Sequence, residues 1–299
     1  MSSTISLFRK YSFELLCLSP TFFYLVGFLF IILFYLIKIS FTYVAPDFLS
    51  TFPSLRNYFS IASSHEFRVA FLNTLVFVIV GTPLELLTGL FFALLVNRSF
   101  PGQGFVRSLF TVPLAVPALV TAIILFILFD FPAGHINNLL LGKHIIFPKL
   151  IDTPISWRTS EFFALGTAMI GKVWRDMPIS MLILLAGLSS ISQDQYEAAE
   201  TMGAGLVQKF RFITLPLLVP AISSVLVLRS IEMWKEFIFP FILAGQWPLL
   251  GTFIESLFHN WHKPQEAAVV ALMLVLCIVF STFFVFYVLR FVRKNLVRI

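Results

Sequence analysis

The sequence has little charge and almost no cysteine, and it lacks every short motif that would put chemistry on the chain. Charged residues are 12% of 299 positions, about half of what a water-soluble domain of this size carries. Cys17 and Cys277 both lie within apolar stretches, which argues against a disulfide framework or a metal cluster and reads them as buried spectators. No G-x-x-x-x-G-K-[ST] phosphate loop occurs, because Gly142-Lys143 is followed by His144 and Gly171-Lys172 by Val173. An ATP-binding site is therefore not on this chain. No G-x-S-x-G elbow or H-E-x-x-H helix is present either, so a membrane hydrolase has no visible catalytic residues. His259 and His262 have metal-like spacing but no third ligand nearby, and no metal is expected. The formal charge of +6 reads as membrane orientation rather than nucleic-acid binding.

What is abundant is hydrocarbon. Hydrophobic residues make up 59% of the chain and gather into runs of about 20 or more, the length that crosses a bilayer. The 37 Phe are spread through those runs as lipid-facing and packing residues. The expected fold is an all-α polytopic membrane protein with six transmembrane helices, at about 13–39, 67–96, 108–130, 161–188, 215–240 and 267–289. A leader, 1–12, precedes them, and residues 13–299 form one transmembrane domain. The first run is too long for a signal-peptide core and reads as a retained span. Arg98 and Arg107 in one short loop, and Arg290, Arg293, Lys294 and Arg298 in the tail, have no acid among them. By the positive-inside rule that loop and both termini are cytoplasmic, with 131–160 and 244–264 outside.

The longest polar interruption after residue 160 falls between spans four and five, at 189–214. Ser192 or Asp194 can cap a short helix carrying Glu197, Ala198, Ala199 and Glu200, acids that suit the positive end of a helix dipole. Gly203 and Gly205 allow a sharp turn, and Pro216 starts the next helix where a missing N–H costs least. The expected product is a small, side-chain-poor knob against which another protein packs.

The spacing Glu197-Ala198-Ala199, three residues, Gly203, nine residues, Ile213, one residue, Leu215-Pro216 resembles the EAA loop of permease subunits in bacterial and archaeal ABC importers. Asn57-Tyr58-Phe59, Asn73-Thr74-Leu75, Arg107 to Phe110 with Pro113 and Pro117, and Trp174 with Pro178 look like the first permease of maltose-type carbohydrate importers. The run Trp234 to Pro240 is closer to the second permease of such pairs, and the Gly-Gly-Pro usual after span five is absent. The resemblance implies the type I importer permease fold and a coupling helix, Glu197, Ala198, Ala199, Gly203 and Ala204, that docks on an ATPase. It also implies a second permease, two cytoplasmic ATP-binding subunits that hold ATP and Mg, and an extracytoplasmic binding protein. The location it implies is the cytoplasmic membrane of a bacterium or archaeon, and the substrate a sugar or oligosaccharide.

Counted without gaps from the Glu197 loop, family site positions fall on Lys172, Trp174, Arg175, Asp176 and Ile179 in span four, and in span five on the stretch that carries the charges. Arg229, Glu232, Met233 and Glu236 stand there at i, i+3, i+4 and i+7, one helical face. Charge in mid-membrane faces a water-filled path or a partner helix. Two readings follow. Either the charges recognise an unusual, ionic saccharide, or they pair with each other, Arg229 with Glu232 and Glu232 with Lys235, as a gate or helix staple. Glu85 in span two reads as a polar contact between helices. The rival class is an ion-gradient-driven transporter that uses Glu85, Glu232 and Glu236.

Overall fold

The computed structural model describes residues 12–45, 47, 49–143 and 147–296, with the backbone course alone at 12, 14, 15 and 292–296. The basic leader to Lys10, Pro46, His144 and Arg298 lie outside the described residues, as do the side chains of Arg293 and Lys294. In chain order come α1 (Ser12–Ser40), a pair of two-residue strands, Tyr43–Val44 with Ser50–Thr51, and α2 (Arg56–Ser63). Then follow α3 (His65–Val96), α4 (Gln103–Ala115), α5 (Ala118–Leu128), α6 (His135–Leu140), α7 (Glu161–Ser189), α8 (Gln193–Thr201) and α9 (Leu206–Lys209). A π-helical turn, Phe210–Thr214, leads into α10 (Leu215–Trp234), followed by α11 (Ile238–Leu243), α12 (Leu250–Glu255), a second π-helical turn and α13 (Pro264–Leu296). Four helices are long and apolar enough to cross a membrane, and six spans result if each bent pair counts as one.

α3 shows why the sequence folds this way. The Ser64 hydroxyl accepts the Phe67 N–H at 3.0 Å and caps the helix. Its enclosed residues, Ala70, Asn73, Thr74, Phe77, Val78, Gly81, Glu85, Gly89, Ala93 and Val96, recur every three or four positions, the single stripe of a helix packed on one side. α7 is buried on several faces and is the axis of the bundle, packed against α3, α4, α10 and α11. α1 is the opposite case, a helix exposed along almost its whole length that touches α13, and Cys17 is exposed on it rather than buried.

Three predicted elements are corrected. The third span is two helices meeting at 90°, beginning at Gln103 rather than 108. Val116 is held extended (φ −85, ψ 128) by the ring of Pro117, which also lacks the N–H a helix needs. The fifth span does not run to 240, because α10 ends at Trp234 and the chain breaks at Lys235 (φ −92, ψ 9) before α11. At its other end the helical course begins at Leu206, so 189–214 is a shorter interruption than expected. The segment 244–264 is not a surface strip: Leu249, Leu250, Phe253 and Leu257 enter the apolar core. The Thr74 hydroxyl fixes it there by accepting the Leu250 N–H at 2.8 Å.

The interior is two apolar cores stacked along the spans. One holds Ala70, Phe77, Val78, Met169, Val173, Met233 and Phe239, and the other Ala93, Val96, Met177, Met181, Leu184, Leu188, Leu218 and Val225. Between them on α3, α7 and α10 lie Glu85, Lys172, Asp176 and Arg229. In the second core α3 and α7 approach so closely that a Cβ on Gly89 would sit 2.6 Å from Ser180 Cβ. Gly89→Leu is therefore expected to cost about 1–3 kcal/mol by overpacking. Thermal denaturation of the detergent-purified protein checks this, and an unchanged midpoint would contradict the close approach.

Candidate functional site

Two features deserve description as sites, a layer of buried charge and a polar knob. In the layer, Lys172 and Asp176 are one turn apart on α7, with Nζ to Oδ2 at 2.5 Å. Lys172 also faces Glu236 Oε2 at 3.0 Å and Glu232 Oε2 at 3.8 Å, reaching from α7 to α10 and the break beyond it. Arg175 Nη1 donates to Asp176 Oδ1 at 2.5 Å, and Lys235 Nζ lies 3.0 Å from Glu232 Oε1. Arg229 on α10 extends to Glu85 Oε2 on α3 (Nε, 3.5 Å) and to Asp176 Oδ2 (Nη1, 3.8 Å). One connected chain of eight ionisable side chains, four acids and four bases, thus ties three helices together.

Of the two pairs expected within α10, Glu232 with Lys235 forms, whereas Arg229 turns away from Glu232 toward the other helices. Glu236 is not on the helical face with Arg229, Glu232 and Met233. It lies past the end of α10, and its carboxylate accepts the Phe239 N–H at 3.2 Å, satisfying a donor in the first turn of α11. Met233 is fully enclosed beside Gly81, and Ile179 is half-buried. Trp174 points away from the charges. It is half-exposed and lines an apolar groove of about 520 Å³ with Phe92, Phe110 and Ile170, and with Ile170 it also borders a second groove of about 420 Å³. Glu85, read from the sequence as a polar contact between helices, is that contact: it meets Arg229 of α10 and so joins this layer. Its place in the α3 stripe, four residues after Gly81 and four before Gly89, was the available signal.

The knob is α8 and the turn after it. The Ser192 hydroxyl accepts the Asp194 N–H at 3.3 Å, Gly203 adopts φ +81, and the Ala204 N–H reaches the Ala199 carbonyl at 2.9 Å, a left-handed helix stop. Tyr196 is bonded to Thr214 (2.9 Å) and Glu200 is paired with Lys209, so the knob is fixed on the start of the next helix. Glu197 and Ala198 are exposed and Ala199 is buried. The knob is not poor in side chains: Met202, Leu206 and Val207 are about four-fifths exposed. Val96, Leu188 and Leu218 share one core, so the Arg98 and Arg107 loop lies at the knob's end of the bundle.

His259 Nδ1 faces Glu255 at 2.8 Å, and among the described residues no group of three His, Cys, Asp or Glu is placed to hold a metal. The segment between α5 and α7 is fastened at Asn137. Buried Asn137 donates to the Asp130 and Ile155 carbonyls and accepts from the Ile155 N–H and the Trp157 indole, all between 3.0 and 3.2 Å.

Residues 85–297 match the family described as binding-protein-dependent transport system inner membrane component. The chain belongs to this family. It is 36% identical over 197 residues to the trehalose/maltose transport system permease protein of Thermococcus litoralis, covering 66% of this chain and 64% of that one. It is 30% identical over 201 residues to the sulfoquinovosyl glycerol transport system permease protein of Agrobacterium fabrum, covering 67% and 63%. These matches span less than two thirds of those relatives' length. The fold is shared with a chain of a bacterial ABC transporter involved in the import of the acidic polysaccharide alginate, at a TM-score of 0.81 and 18% identity over 96% of this chain and 98% of that one. Membership in a binding-protein-dependent permease family gives the ion-gradient alternative no support, and Glu85, Glu232 and Glu236 each face a cation.

Removing Arg229 leaves Glu85 enclosed and uncompensated. Arg229→Met is expected to destabilise the protein by about 3–5 kcal/mol, and Glu85→Leu in the same chain to recover most of that loss. Denaturation midpoints of the two single variants and the double variant measure the coupling. A double variant as unstable as the sum of the two would contradict the pairing.

Proposed function

We propose that this chain is one permease subunit of an ABC importer for a sugar or oligosaccharide, in the cytoplasmic membrane of a bacterium or archaeon. It pairs with a second permease, receives substrate from an extracytoplasmic binding protein, and is driven by two ATP-binding subunits that hold ATP and Mg. The knob end is cytoplasmic by the positive-inside rule, with Arg98 and Arg107 at that end. Saccharide transport names among the relatives support the substrate class.

The observation that carries the reading is where the knob sits in the chain. It joins α7 to α10, the two helices whose charges are tied in mid-bundle. A partner that moves the knob therefore moves both helices at once. Ala198, Met202, Leu206 and Val207 offer that partner an apolar contact, and Glu197 offers it a charge. Closure of the ATP-binding subunits would tilt α7 and α10 and expose the path alternately to each side. Lys172, Arg175, Asp176, Ile179, Arg229, Glu232 and Glu236 border the path's polar stretch or stand behind it.

Glu197→Arg is expected to strip the ATP-binding subunits from the complex when this chain is affinity-purified from its native membrane. Gly203→Val, which forces a branched side chain into φ +81, should cost about 1–2 kcal/mol locally and lower substrate-stimulated ATP hydrolysis several-fold. Full subunit recovery and unchanged stimulation in both variants would sink the coupling role.

A further inference from the structure

On another side of the bundle from the apolar grooves at Trp174, the helices α3, α10 and α13 enclose a groove of about 560 Å³. Ile79 and Pro83 of α3, Leu226 of α10 and Phe284 and Val288 of α13 line it, and no charged residue does among the described residues. Ile79, Phe280 and Phe284 are exposed, so the groove opens at the apolar surface of the chain rather than into the charged layer.

Two polar groups in its walls have nothing to bind. The Thr82 hydroxyl and the Trp234 indole N–H are enclosed, on residues 5% and 4% exposed, and neither meets a hydrogen-bond partner among the described residues. The neighbouring hydroxyls behave differently. Ser230 and Ser281, in the same walls, donate to the Val227 and Ile278 carbonyls of their own helices at 3.0 Å, and Thr74 donates to Ala70 at 2.7 Å. Thr82 has the same option one turn back and does not take it. Inside a bilayer an unbonded donor is costly, because no water is there to accept from it. The two donors call for an acceptor oxygen carried on a hydrocarbon body.

Size and depth narrow the occupant. Trp234, Ser230 and Leu226 succeed one another at single-turn spacing on α10, so the groove is about 12 Å long. That length of α-helix with its side chains displaces roughly 900 Å³ or more, too much for the groove, whereas a single hydrocarbon chain fits. Lys209 and Arg211 precede α10 and mark one face of the membrane. The 20 residues from Leu215 to Trp234 then rise about 30 Å, the thickness of the hydrocarbon core, and bring the indole to its opposite boundary. Phospholipid ester carbonyls lie at that level, where tryptophan is favoured. Gly81 packs on Met233, so Thr82 and Trp234, the next residue of each helix, lie at nearly the same depth.

We propose that this groove is a binding site for an ester-linked phospholipid, with one hydrocarbon chain lying along Ser230 and Leu226 and the ester carbonyls accepting from Trp234 Nε1 and Thr82 Oγ1. The test uses the complex purified from its native membrane in detergent, stripped of lipid and titrated with two phosphatidylcholines that differ in the carbonyl alone, diphytanoyl (ester-linked) and di-O-phytanyl (ether-linked). Native mass spectrometry counts the lipid retained per chain. The wild type is expected to hold one ester lipid about tenfold more tightly than the ether lipid. Thr82→Val and Trp234→Phe each remove a donor at little change of shape and should lower that preference several-fold. Val285→Trp fills the groove, keeps both donors and should abolish retention of either lipid. Thermal midpoints in lipid-free detergent report folding, and the wild-type comparison decides the matter where a variant does not fold. Equal affinity for the two lipids, or a preference that survives loss of both donors, would overturn the ester assignment. A wild type that retains no lipid, or a Val285→Cys position that cross-links to a protein chain, would overturn the lipid site and give the groove to a partner helix. No saccharide enters the assay, so its outcome leaves the importer reading as it stands.

Discussion

The constraint on which the structure depends is that charge inside a membrane-spanning bundle has to be neutralised by the bundle itself. Three helices here carry ionisable side chains at the same depth, and each faces a group of opposite kind on a neighbour. Asp176 is the junction: it binds Lys172 and Arg175 on α7 and stands within 3.8 Å of Arg229 on α10, which in turn faces Glu85 on α3. Apolar packing above and below the layer is non-directional and would tolerate sliding of one helix on another. The ion pairs do not, because a shift of one residue separates partners by about 1.5 Å along the axis. The layer therefore sets the register of α3, α7 and α10.

Register matters because the same two helices, α7 and α10, run without a flexible joint from the charged layer toward the knob. Asp176 is about 20 Å from the end of α7 by helix rise, and α10 is prolonged through the π-helical turn to Leu206. The Tyr196 to Thr214 bond and the Glu200 to Lys209 pair fix the knob to the second of these helices. Displacement at Glu197 and Ala198 therefore reaches the polar layer through α10, a continuous helical element, while a short bent link at 190–192 joins the knob to α7. The coupling role proposed for the knob needs this connection.

Much of this was legible in the residues, and the failures have physical causes. The Ser192 cap and the Gly203 stop are local rules, and they appear as the sequence implies. The span boundaries failed where a proline acts at a distance of one residue, at Val116, and where a helix ends without proline or glycine, at Lys235. Helical spacing placed Glu236 with Arg229, but spacing presumes that the helix continues. Arg229 was expected to bind Glu232 because local pairs are all that a sequence displays. Glu85, 144 residues away, is the partner it reaches across the bundle. Trp174 was grouped with Lys172 and Asp176 by the gapless count from the Glu197 loop, which carries no direction around the helix. Two positions on a helix is about 200° of rotation, and the indole looks into an apolar groove on the other side of α7.

The account stands on the claim that the knob between α7 and α10 is where an ATP-binding partner engages this chain. The most direct measurement is site-specific cross-linking in the native membrane, with Cys17 and Cys277 replaced by Ser and a single cysteine introduced by Ala198→Cys. The account predicts a short-spacer cross-link from position 198 to an ATP-binding subunit whose yield changes when ATP is added. No cross-link at 198, together with one from an Asn138→Cys position in the segment joining α5 to α7, would contradict it.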